Sequence, residues 1–211
     1  MNNTFSIRES FSFAWNVFTK RPWFLIGVMF ATFVVFALIS KVFPTDQGGN
    51  IVFTLVNLVI GIFIDMALIA FALAAHENVH TVTWKSVWMP QLFWKYLGAS
   101  ILMGIIVVVG LVLLVIPGLI AAFGFMFTKY LVVDRKLGPV EALKESWRIT
   151  KGHKLHLLGF GFVAIVFNLI GAIAIGIGLL VTVPLTMLAS AHIYRTLEHE
   201  AHEVAAPIVT A

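Results

Sequence analysis

One carboxylate, Asp65, sits in the middle of an otherwise uncharged apolar run from Ile51 to Ala75, and it is the residue best placed to do chemistry. An ionised carboxylate at mid-bilayer depth costs ~2.5–3.5 kcal/mol on insertion scales, so it marks either a transport pathway or a neutralising pair. Lys129, one turn inside the end of another apolar run, is the basic side chain expected to pair with it. Asn57 or Asn168, also within apolar runs, is the amide expected to complete its hydrogen bonding. Two histidine groupings raise metal chemistry and do not sustain it. In His199-Glu200-Ala201-His202-Glu203 the imidazoles are three residues apart, whereas a zinc-protease helix needs them four apart with the glutamate between as base. The segment reads as a solvated, mildly acidic tail, and His153 and His156 read as interfacial residues at a helix junction. No metal or cofactor is expected.

Basic side chains border the apolar runs. Arg8, Lys20, Arg21, Lys85, Lys95, Lys144, Arg148 and Lys151 are placed to meet anionic lipid headgroups, at about 1 kcal/mol per residue near the surface. Their dispersal along membrane boundaries, not on one soluble patch, argues against nucleic acid. No nucleophile paired with a base and no phosphate-cradling glycine loop occurs, so the chain reads as non-enzymatic.

The elements that position these residues follow from composition. The chain has 211 residues, is 60% hydrophobic and 11% charged, and contains no cysteine. Soluble domains carry ~25% charged residues, so this is the composition of a lipid-embedded protein. An all-α integral membrane protein is expected, one polytopic domain over residues 1–211, since a helix needs ~20 apolar residues to cross the hydrocarbon core. Six transmembrane helices are placed at about 23–42, 51–75, 97–116, 119–133, 155–172 and 177–194. Pro117-Gly118 makes the hairpin between the third and fourth, and the glycines from Gly171 to Gly178 make the turn between the last two. Three amphipathic helices, at about 4–20, 84–95 and 139–151, are expected to lie in the interface. No cleavage pattern follows a short apolar region at the N-terminus, so the first span is expected to act as an uncleaved signal anchor.

An offset of 132 residues pairs Glu9 with Glu141, Trp15 with Trp147, Leu25 with Leu157 and Gly27 with Gly159. This echo predicts three repeated units, each an interfacial helix plus a membrane hairpin, over residues 4–75, 84–133 and 139–194. Gly27 and Gly159 are expected to admit close approach of the Trp-bearing helices. All fourteen Lys and Arg except Lys41 then fall on one face, a bias that places both termini in the cytoplasm of a cell (inner) membrane.

The Ile116-Pro117-Gly118 hairpin, the Val132-Val133-Asp134 exit, the helix from Gly138-Pro139 to Trp147 and the final span with Gly178, Pro184 and Tyr194 carry a resemblance. They resemble the membrane domain attached to some bacterial and archaeal glycerophosphoryl diester phosphodiesterases, and the YciC-like inner-membrane proteins. The resemblance implies a six-helix membrane domain without catalytic residues, because the phosphodiesterase activity of those proteins resides in a separate barrel domain. The expected function is a non-enzymatic membrane module that binds lipid, a membrane partner or a second copy of itself. The alternative is a small-solute or ion transporter or channel using Asp65.

Overall fold

The structure, a computed structural model, describes residues 5–42, 51–80, 82–83, 87–173 and 176–205, with side chains described as far as His202. Apart from one short 3-10 turn, all regular structure among them is α-helix: α1 Ile7–Lys20, α2 Pro22–Val42, α3 Ile51–Asn78, α4 Phe93–Leu113, α5 Val115–Gly124, α6 Thr128–Arg135, α7 Pro139–Ile149, α8 Lys154–Ile173 and α9 Leu179–Ala205. Among the described residues, five stretches are long and apolar enough to cross a membrane: Pro22–Val42, Ile51–Asn78, Pro90–Leu113, Val115–Arg135 and Lys154–Ile173. The chain is thus an all-α protein of the multi-pass membrane type.

Local chemistry sets the boundaries. α1 is capped by Ser6, whose Oγ accepts from the Glu9 amide at 3.5 Å, two residues after the start expected at Thr4, which lies outside the described residues. It stops at Arg21 because Pro22 offers no amide and disfavours helical backbone in the residue before it. α7 begins with Pro139 at its first position, and the Glu141 carboxylate accepts from the Gly138 amide at 3.0 Å.

Three expectations need correction. The hairpin between the third and fourth spans turns at Leu114, three residues before Pro117-Gly118. Pro117 falls in the first turn of α5, where a missing amide costs nothing, and Gly118 lets α5 press on Gly110 of α4, with a Cβ there 2.5 Å from the Leu111 amide. The interfacial helix expected at 84–95 does not exist as one element. Met89 is non-helical ahead of Pro90, a 3-10 turn covers Pro90–Leu92, and Phe93 already starts the span, so Trp94 and Lys95 belong to α4. Trp84, Lys85 and Ser86 lie outside the described residues. The fourth span is broken, α5 ending at Gly124 and α6 starting at Thr128.

The buried core lies in the half of the bundle nearest the charges. In α3, residues Met66 and Ile69 to Leu73 are buried while Ile51, Val52 and Leu55 are exposed, and α2, α4 and α8 likewise expose Val42, Val112 and Ile173 at their far ends. Such a continuous apolar surface is one that lipid must cover. α9 runs through the centre, touching α1, α2, α3, α7 and α8, with Leu188, Ala189, Ala191, Ile193 and Tyr194 buried. It starts beside the far end of α8, where Gly178 meets Gly171, and reaches the charged end where Arg195 meets Glu77 and Asp134. The turn before it falls where the glycines predict, with Gly176 at φ +74°.

Each Trp-bearing helix is expected to rest on the span that follows it, but Gly159 lies beside Ile7 of α1, not against α7, and Gly27 faces open space, so neither approach is made as expected.

Candidate functional site

Asp65 meets Lys129. The Lys129 ammonium donates to Asp65 Oδ2 at 2.6 Å, and the Tyr96 hydroxyl donates to the same oxygen at 2.6 Å. Three helices, α3, α4 and α6, are thus joined at one carboxylate. The ammonium also lies 5.6 Å from the Tyr96 ring centroid, so the ring's negative face shares the charge. Asp65 keeps 45% and Lys129 29% of their side-chain surface open, so the pair is half-buried. Asn57 and Asn168 take no part. Asn57 sits two turns away along α3 and donates to its own helix at Phe53 O, and Asn168 of α8 donates to Ala164 O and to Thr186 Oγ1 of α9.

The break in the fourth span has its own cap. The Thr128 amide bonds Phe125 O, which frees the Gly124 carbonyl that a continuous helix would have engaged. Two hydroxyls of the interfacial helix take it over: Ser146 Oγ donates to Gly124 O at 3.0 Å and Thr150 Oγ1 at 2.9 Å. Glycine is required there, since a Cβ would lie 2.6 Å from the Trp147 ring. Ser146 and Thr150 are fully buried, so an unsatisfied carbonyl would have no water to turn to. Ser146→Ala with Thr150→Val is expected to cost about 1–3 kcal/mol, the desolvation cost of one orphaned acceptor. Thermal unfolding in detergent checks this. A midpoint unchanged from wild type would show that α7 does not hold the break.

A larger polar assembly closes the charged end of the bundle. Arg195 clasps Asp134 through both carboxylate oxygens, at 2.9 and 3.0 Å, and reaches Glu77 at 2.7 Å and Glu198 at 3.2 Å. Arg135 binds the other oxygen of Glu198 at 2.5 Å, contacts His202 and lies 3.8 Å from Glu145. Arg148 donates twice to Glu145, at 2.6 and 2.8 Å, and to Ala201 O at 3.2 Å. Tyr194 donates to Asp134 at 2.8 Å. This ties α3, α6, α7 and α9 together and corrects the expected solvated tail. α9 continues to Ala205, Leu197 and Glu198 are buried, and Glu200 lies 3.9 Å from His153. The tail orders because Tyr194, Leu197 and Glu198 share one helical face and their partners stand opposite it. Residues 206–211 lie outside the described residues.

Beside this network His76 of α3 and His192 of α9 share a hydrogen bond, Nε2 to Nδ1 at 3.2 Å, with Phe13 of α1 stacked on His192 at 4.3 Å between centroids. They border an open cavity of about 540 Å³ with Glu77, Arg195 and His199. The shared bond needs one ring to donate and the other to accept, so it survives only while at least one is neutral.

The residues expected to meet headgroups divide in two. Arg8, Lys20, Lys144 and Lys151 are exposed and make no ion pair with a described residue. Arg148 is committed to Glu145, and Arg21 lies over the Phe24 ring at 4.8 Å. The Glu145–Arg148 hydrogen bonds hold the Glu145 carboxyl below, and the Arg148 guanidinium above, their ordinary ranges.

Residues 38–210 match the family model described as "Domain of unknown function (DUF7847)". No curated protein and no solved structure matches the chain.

Proposed function

The chain belongs to that family of unknown function, which lends it no activity, and we propose from its geometry that it is a non-enzymatic module of the cell (inner) membrane that recognises anionic lipid on its charged face. The carrying observation is the division among its cations. Arg135, Arg148 and Arg195 are consumed in internal pairs, whereas Arg8, Lys20, Lys144 and Lys151 on α1 and just around α7 are left exposed with no acidic partner among the described residues. Cations at headgroup depth without a protein partner are completed by lipid phosphates. In this proposal α9 is the sixth span, its lower hydropathy tolerated because its neighbours shield it from lipid. The units at 4–75, 84–133 and 139–194 are repeats, and the kinship with the phosphodiesterase membrane domains and YciC-like proteins is part of the same proposal. Both termini are cytoplasmic.

The test is reconstitution of the full chain in phosphatidylcholine with increasing phosphatidylglycerol, reading the unfolding midpoint. The midpoint is expected to rise with the anionic fraction, to fall back in high salt, and to rise less in Arg8→Gln with Lys20→Gln. Equal midpoints in the two lipids would overturn the proposal. Since the chain has no cysteine, Ser12→Cys, Lys151→Cys and Lys41→Cys can be labelled separately from each side. The first two should react from the cytoplasmic side and the third from the other.

Transport through Asp65 is the second reading, favoured by the open share of that carboxylate at mid-helix. Lys129 already supplies the charge that a transported cation would have to replace, which weighs against it. Proton flux into vesicles that is lost in Asp65→Asn would reverse this preference.

A further inference from the structure

The interfacial helix α7 presents three stripes. Ala142, Leu143, Ser146 and Ile149 are buried against the bundle, Glu145 and Arg148 enter the ionic network, and Val140, Lys144 and Trp147 remain on the outer side. Under that outer side, where the fourth span breaks, lies an open groove of about 570 Å³. Its floor is Leu102 and Ile106 of α4, its far wall Ala121 of α5 and Phe125 of the break, and its upper rim Trp147 and Lys144. The rim is rigid. The Trp147 ring seats on Gly124, lies tilted against Phe125 at 5.1 Å between centroids, and is covered by the Lys154 ammonium 2.9 Å from its centroid.

We infer that this groove is a binding site for one anionic diacyl phospholipid, with a chain along Leu102, Ile106, Ala121 and Phe125 and the phosphate at Lys144. The inference rests on the headgroup reading above and assigns it a place. Three observations select this occupant. Apart from Lys144, every residue lining the groove is apolar, so a free phosphate would gain nothing from its walls. At the rim stands a lysine with no acidic partner among the described residues, so a neutral chain would leave the rim charge unanswered. The dimensions also agree: Gly98 abuts Pro139 and fixes the level of α7 on α4, and from there to Ile106 is about 12 Å of helix rise, most of one leaflet of a ~30 Å core. The volume falls in the ~300–1,000 Å³ range of small-molecule sites. Trp147 suits the boundary, an indole at headgroup depth with its apolar edge toward the chain.

The full chain in phosphatidylcholine nanodiscs is titrated with brominated phosphatidylglycerol, and quenching of tryptophan fluorescence is followed. A saturable component is expected at low anionic fraction, absent in Trp147→Phe. Lys144→Glu should move its midpoint at least tenfold to higher fraction, while Lys144→Arg keeps it. Lys144 is exposed, and unfolding midpoints of the variants confirm that they are folded. Inorganic phosphate should not displace the quencher; displacement would make the ligand a free anion and overturn the inference. Disulfide cross-linking between copies at Leu102→Cys that excludes the quencher would assign the groove to a second chain and overturn it as well. If brominated phosphatidylcholine quenches as well as the anionic lipid, the headgroup reading itself falls. If the anionic preference survives Lys144→Glu and is lost in Arg8→Gln with Lys20→Gln, the groove falls alone.

Discussion

Arg195→Met is expected to destabilise the protein by about 3–5 kcal/mol, the cost of removing one partner from a buried charge network. Three carboxylates lose an arginine contact at once, and they are not equivalent. Asp134 and Glu198 are largely buried and keep only Tyr194 and Arg135 as donors, whereas Glu77 is 66% exposed and re-hydrates. Glu77→Gln should therefore cost no more than about 1 kcal/mol. Arg195→Lys should recover only part of the loss, because an ammonium cannot grip both Asp134 oxygens in the planar fork seen here. For a chain of this size each kcal/mol moves the thermal midpoint by ~2–4 °C, so the arginine deletion should stand well clear of the glutamine variant. Equal midpoints for the two would mean that the network is ornamental. Acid probes the same layer. Because the Glu145 pKa is lowered by hydrogen bonds from Arg148, its stabilisation is present above the unfolded-state glutamate pKa and disappears as pH falls through the lowered value. Arg148→Met should flatten that part of the pH–stability curve.

Residue types explain which of these features the sequence disclosed. Asp65 and Lys129 are opposite charges inside predicted spans, so their pairing followed from the cost of leaving either alone. Tyr96 escaped notice for want of a charge, and because a continuous interfacial helix through residue 95 put it outside the bundle. The broken fourth span carries neither proline nor polar residue at Gly124–Phe127, and its cause is supplied from elsewhere in the chain by Ser146 and Thr150. Alternating charge after Tyr194 looked like a tail because ion pairs more than sixty residues apart, such as Arg195–Asp134, leave no local pattern. Five of the six apolar stretches were legible as spans, since their hydropathy and length answer to the bilayer alone. Pairing between them answers to packing.

Lys129→Met should be the more damaging half of the Asp65–Lys129 pair, costing about 2–3 kcal/mol, below the ~3–5 of a fully buried pair because both side chains are partly open. The asymmetry comes from reach. Without Asp65, the lysine has a four-carbon stem and stands five residues from Asp134 at the charged end, so it can snorkel toward the interface. Without Lys129, the aspartate is short, sits twelve residues of helix from Glu77, about 18 Å, and keeps the Tyr96 hydroxyl. Asp65→Asn should accordingly cost less, about 1–2 kcal/mol, since an amide oxygen still accepts from Tyr96. Asp65→Asn with Lys129→Met should recover much of the loss, because removing both charges also removes their desolvation. Tyr96→Phe in the wild-type background should cost about 1 kcal/mol, and less in the double variant, where its acceptor is no longer charged. Unfolding midpoints of wild type and the three charge variants in detergent measure the coupling. Strictly additive losses, or Asp65→Asn proving worse than Lys129→Met, would mean that the carboxylate is held by something other than this lysine and phenol.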